Sequence, residues 1–182
     1  PRGRALGMVM RLPERDNYSY HRDKMYANLS VSMGGRVAEE IIFGYDKVSS
    51  GASSDIQYAT NLARDMVTRW GMSDVLGPLQ YAEADEEVFL GYSRSRGSQM
   101  SNETAVMIDQ EIKSIVEGGY NQAKKLLKKH ISQLHLLAEA LLEYETLSGD
   151  EIKALLEQGV KPDRSGAGKP PTCPPRRLRW YP

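Results

Sequence analysis

Cysteine is nearly absent: Cys173 stands alone in 182 residues, which rules out an internal disulfide framework and fits a reducing compartment. No sign of charge dominates, because 24 Lys and Arg balance 24 Asp and Glu. Nucleic-acid binding usually calls for a basic surface, so no nucleic-acid partner is expected. No apolar run approaches the roughly 18 residues needed to cross a bilayer, and no signal peptide opens the chain. A membrane role would have to come from sequence outside these residues. Histidine is scarce, at His21, His130 and His135. The last two lie five positions apart, which turns them toward different faces of a helix. Neither an H-E-x-x-H nor a G-x-x-x-x-G-K-[ST] motif occurs. The first residue is Pro1, not Met, and the chain reads as a fragment or processed piece.

What is present suits one ordinary soluble domain: 40% of residues are hydrophobic and 26% charged. Ala5 to Leu12 is mostly apolar and stops at Pro13, the pattern of a short strand followed by a loop from Glu14 to His21. From Asp23 to Ile42, Met25, Leu29, Met33, Val37 and Ile41 recur every four residues, an apolar stripe on one helix. Gly34 and Gly35 lie inside it. Each costs a helix interior about 1 kcal/mol against Ala, so the pair predicts that a neighbour passes close by. Gly44 fits the stop.

A small-residue loop, Asp46 to Ser54, leads to a second helix from Asp55 to about Trp70. Ile56, Ala59, Leu62, Ala63, Met66, Val67 and Trp70 form its stripe. Ser53 or Ser54 is placed to cap it and Gly71 to close it. Leu79–Tyr81 and Val88–Leu90 are read as a small hairpin around Glu83 to Glu87. From Ser101 the chain is helical again, with Ala105, Ile108, Ile112, Ile115, Val116, Ala123, Leu126 and Leu127 on one stripe and an interruption expected at Gly118–Gly119. His130 to Tyr144 continues the pattern. Ser148 with Glu151 is a capping box before Ile152, Leu155 and Leu156. Gly159 ends that helix and Pro162 stops anything further. The expected fold is mainly α, with a few short strands near the start and middle, in one domain over 1–162. The tail 163–182, with Pro170, Pro171, Pro174, Pro175 and five basic residues, cannot bury enough to offset its ordering entropy, and disorder is expected.

Several stretches resemble the peptidase domain of the FtsH family of AAA-type proteases. They are PRGRALGMVMRLPE (Pro1 to Glu14), MGGRVAEEIIFG (Met33 to Gly44), SSGASSDIQYATNLARDMVTRWGMSDVLGP (Ser49 to Pro78) and MSNETAVMIDQEI (Met100 to Ile112). The resemblance covers about Pro1 to Pro162. It implies a membrane-anchored homo-hexamer whose ATPase module, with ATP and Mg2+, unfolds polypeptide substrates. These pass to a zinc peptidase in the cytoplasm or the matching organelle compartment, which degrades membrane and damaged soluble proteins. In that family two His of an H-E-x-x-H helix bind Zn2+, and the intervening Glu is general base on the zinc-bound water. That helix would fall before Pro1 and the ATP site further upstream, so this piece alone is expected to be inactive and the membrane to be reached only through upstream segments.

The same resemblance makes Asp55 the third zinc ligand; the plain alternative is a first-turn Asp favoured by the helix dipole. Glu39 and Glu40 are candidates to accept hydrogen bonds from the ligating imidazoles, or else lie on a solvated helix face. Ala5, Leu6, Gly7, Met8, Val9 and Met10 are read either as an edge strand that pairs with extended substrate or as an ordinary buried strand. His21 reads as a surface residue, His130 and His135 as surface or packing residues, and the eight methionines as core filling. The basic RRLRWYP end could touch acidic lipid or nucleic acid, with a solvated tail as the default. Two rival readings stand beside the protease: a non-catalytic helical assembly module contributing hexamer contacts, and a soluble metallopeptidase without an ATPase. The sequence upstream of Pro1 separates all three.

Overall fold

A computed structural model of the chain describes Val9 and residues 21–81 and 101–162. The described part is mainly α, and no β-strand occurs among the described residues. The elements are α1 (Arg22–Ser32), α2 (Gly34–Phe43), two short 3-10 turns (Tyr45–Lys47 and Ser50–Ala52), α3 (Ser53–Thr68), α4 (Asn102–Lys129), α5 (Ile131–Tyr144) and α6 (Gly149–Gln158). Val9, from the expected strand Ala5–Leu12, is exposed, and the rest of that stretch lies outside the described residues. So do Val88–Leu90 and the tail 163–182, while Leu79–Tyr81 is described and forms no strand. The one sheet-like feature among the described residues is an isolated antiparallel bridge between Ser73 and Gly77.

The helices fall into two compact units, Pro1–Lys129 and His130–Pro182. In the first, α4 packs on α1, α2 and α3. The expected single helix from Asp23 to Ile42 is two, because Met33 takes the tighter backbone φ −76°, ψ −9°. The hydrogen bonds nonetheless run across the break, Met33 N–H to the Leu29 carbonyl at 3.1 Å and Val37 N–H to the Met33 carbonyl at 3.0 Å. The stripe therefore stays in phase: Met25, Leu29, Met33 and Val37 are buried and Ile41 packs beside them. From α3 the core takes Ala59, Ala63, Met66 and Val67, and from α4 Ile108, Ile112, Ile115 and Ala123. Full burial of a side chain such as Leu29, Val37, Met66 or Val67 contributes about 1.5–3 kcal/mol.

The glycines correct two expectations. A Cβ at Gly34 or Gly35 would meet nothing within 4 Å among the described residues, so none of these presses on that pair. The close approach is at Gly119, where a Cβ would stand 2.9 Å from the Leu29 Cβ and 3.2 Å from the Leu29 carbonyl carbon. Far from interrupting α4, Gly119 lets it lie against α1, and α4 runs unbroken for 28 residues. Gly71 closes the turn after α3 as expected. It has φ +58°, and its Cα faces the Pro78 backbone so closely that a Cβ would sit 2.7 Å from Pro78 Cα.

In the second unit α5 and α6 pack together. The capping box at Ser148 forms in both directions, with Glu151 N–H donating to Ser148 Oγ and Ser148 N–H to Glu151 Oε2. Leu155 and Ala140 are buried, Gln133 Nε2 donates to the Leu156 carbonyl, and Lys161 pairs with Glu143 at 2.8 Å.

Candidate functional site

Asp55 occupies the first turn of α3 and is exposed. Its carboxylate makes no hydrogen bond or ion pair among the described residues, which leaves it available to an outside partner. The helix is not capped by Ser53 or Ser54: its N-cap is Ala52, and no side chain caps it. The chain enters α3 instead through the 3-10 turn Ser50–Ala52, whose N-cap is Ser49. Ala52 is buried and pins the end of that turn.

Ser49 is itself held by Glu39 of α2. Its backbone N–H donates to Glu39 Oε2 and its hydroxyl to Oε1, each at 2.9 Å. The same hydroxyl accepts from Gly51 N–H at 3.1 Å. The Ser49 N–H first and its hydroxyl second hold the Glu39 carboxyl below the usual carboxylate range. Gly51 suits this closeness, since a Cβ there would come 3.1 Å from Ser49 Oγ, which would have to give by a few tenths of an ångström.

Glu40 turns the other way, to α4. Lys124 Nζ donates to its Oε1 at 2.7 Å and the Tyr120 hydroxyl to its Oε2. Lys124, then Tyr120, lowers the Glu40 pKa. Burial, then the Glu40 carboxylate, raises that of Tyr120. Adjacent glutamates thus fix α2 on two sides, one to the loop before Asp55 and one to the central helix. Neither is a freely solvated group.

A second built loop follows α3. Ser73 is buried, donates to Glu111 Oε2 at 2.8 Å and accepts from the N–H groups of Val75 and Leu76. Arg22 clamps Asp74 through two nitrogens, at 3.1 and 2.9 Å. Between α1 and α3 lies an open cleft of about 410 Å³ lined by Met25, Asn28, Tyr58, Asn61, Leu62, Asp65 and Trp70. Asp55 is not part of it.

His21 is the N-cap residue of α1 and makes no side-chain cap, and His130 Nδ1 pairs with Gln133. No group of three His, Cys, Asp or Glu that could hold a metal occurs among the described residues. The donor chemistry of Asp55, a free carboxylate held by a helix start, fits one position of a zinc set and not a whole set. No described helix is long and apolar enough to cross a membrane. Ser49, Tyr120 and Lys124 were not legible as site residues. Tyr120 and Lys124 lie one helical turn apart, but nothing local points them at a glutamate 80 residues earlier.

Residues 1–155 match the model of Peptidase family M41. The ATP-dependent zinc metalloprotease FtsH of Caulobacter vibrioides (strain NA1000 / CB15N) is 56% identical over 164 residues, 90% of this chain and 26% of that protein. The protein of the same name from Rickettsia bellii (strain RML369-C) is 58% identical over 156 residues, 86% of this chain and 24% of that protein. That of Buchnera aphidicola subsp. Schizaphis graminum (strain Sg) is 51% identical over 158 residues, covering 87% and 26%. The chain spans about a quarter of the length of these curated relatives. It belongs to peptidase family M41.

Proposed function

We propose that this chain works within an ATP-dependent zinc metalloendopeptidase, where Asp55 supplies a carboxylate ligand to the zinc ion. The observation that carries the reading is the free, exposed Asp55 carboxylate at the start of α3, inside the stretch matched by the family. Two imidazoles and the general base would come from residues outside this sequence, which holds no H-E-x-x-H. A zinc ion so held supplies Lewis acidity toward the peptide carbonyl of a substrate. The chain's own part is to hold the Asp55 carboxylate in place. The stretch Ala5 to Met10 is assigned to backbone pairing with an extended substrate, a mode that suits broad specificity. ATP with Mg2+, a membrane anchor and a hexameric ring belong, on this reading, to the longer parent, and unfolded membrane and soluble proteins are its substrates.

The test is Asp55→Ala in the full-length parent. Zinc occupancy and proteolysis should fall together while ATP hydrolysis persists. Normal proteolysis in that variant would remove Asp55 from the site and favour an assembly role for these helices.

A further inference from the structure

We infer that Ser49, gripped by Glu39 and bonded to Gly51, is a positioning residue that sets where the Asp55 carboxylate stands. The inference rests on the reading of Asp55 as a metal ligand and deepens it. Three hydrogen bonds meet at Ser49: two to the Glu39 carboxylate at 2.9 Å and one from Gly51 N–H at 3.1 Å. The residue is exposed, so these bonds contribute little to the stability of the fold. Their consequence is geometric. Ser49 caps the 3-10 turn Ser50–Ala52, and that turn runs without a break into α3, whose third residue is Asp55.

The start of α3 has no side-chain cap of its own. Its register is therefore taken from the turn before it, and the turn takes its own from α2. Gly51 belongs to the same contact: a Cβ there would stand 3.1 Å from Ser49 Oγ, so the hydroxyl would have to shift by a few tenths of an ångström. At the far side Glu40 ties α2 to Tyr120 and Lys124 of α4, so the post on which Glu39 stands is itself braced. Carboxylate ligands bind metal best when their orientation is fixed before the ion arrives, and ligand-orienting contacts commonly govern affinity by about 10–100-fold.

The experiment uses the full-length parent protease in four forms: wild type, Ser49→Ala, Ser49→Thr and Asp55→Ala. Each is measured for zinc dissociation constant by chelator competition, for the visible spectrum of the cobalt-substituted enzyme, and for the melting temperature of the metal-free form. Ser49→Ala keeps the backbone bond to Glu39 and loses both bonds of the hydroxyl. It should bind zinc about 10–100-fold more weakly and alter the cobalt spectrum, with the metal-free melting temperature unchanged. Ser49→Thr restores the hydroxyl and should restore affinity and spectrum. Wild-type zinc affinity in Ser49→Ala, beside weakened binding in Asp55→Ala, overturns the inference and leaves the ligand reading intact. Wild-type affinity in Asp55→Ala overturns both. A Ser49→Ala variant that loses zinc only along with its metal-free melting temperature, without rescue by threonine, reduces Ser49 to a fold contact and also overturns the inference.

Discussion

Gly118 and Gly119 are neighbours in α4, yet alanine should stabilise at the first and not at the second. Alanine favours a helix interior over glycine by about 1 kcal/mol wherever its methyl group has room. Gly118 is exposed, and a Cβ there meets nothing within 4 Å among the described residues. Gly118→Ala should therefore stabilise by about 1 kcal/mol, which raises the melting temperature of a domain of this size by about 2–4 °C. At Gly119 the new Cβ would lie 2.9 Å from the Leu29 Cβ, 3.2 Å from the Leu29 carbonyl carbon and 3.4 Å from Ser30 N. Two of these atoms are backbone, and Leu29 is fully buried, so little can yield. Overpacking of this kind costs about 1–3 kcal/mol, against the same gain in propensity of about 1. Gly119→Ala should end between neutral and about 2 kcal/mol destabilised, and the two variants should differ by about 1–3 kcal/mol. Urea unfolding of the wild-type chain and both variants, followed by far-ultraviolet circular dichroism, measures the difference. Equal stabilisation by both substitutions would refute the close approach of α4 to α1.

Further outcomes follow from the same contacts. The 182-residue chain by itself should retain no stoichiometric zinc after dialysis and should not cleave casein, because Asp55 alone offers too few ligands; chelator-sensitive cleavage would contradict this. Tyr120→Phe removes a partly buried hydrogen bond to the Glu40 carboxylate and should cost about 1.5–3 kcal/mol in the same urea assay. Glu40 has its folded pKa lowered, first by Lys124 and then by Tyr120. Its contribution to stability is therefore complete above the unfolded glutamate pKa of about 4.3 and is lost as pH falls through the lower folded value. Glu40→Gln should be less stable near neutral pH and flatter on the acid side, and an unchanged acid limb would count against the junction. In the second unit, Ser148→Ala breaks the capping box and should destabilise α6 by about 1 kcal/mol, seen as faster amide exchange in its first turn.

Much of this protein was determined by sequence alone. Four-residue spacing marked Met25, Leu29, Met33 and Val37 as one buried stripe, and Ser148, Gly71, Gly44 and Gly159 marked helix ends, because a helix face and a helix end are properties of a few consecutive residues. The family, too, was legible in the motif stretches from Pro1 to Ile112. Tertiary structure decided what those faces meet. Glycine pairs at 34–35 and 118–119 look alike in sequence, but among the described residues only Gly119 is crossed by another helix, since which backbones touch depends on the packing of α1 against α4. In the same way Glu39 and Glu40 are adjacent and chemically identical. One grips Ser49 ten residues on, the other Tyr120 and Lys124 some 80 residues on, because neighbouring side chains on a helix diverge by about 100° and so face different elements.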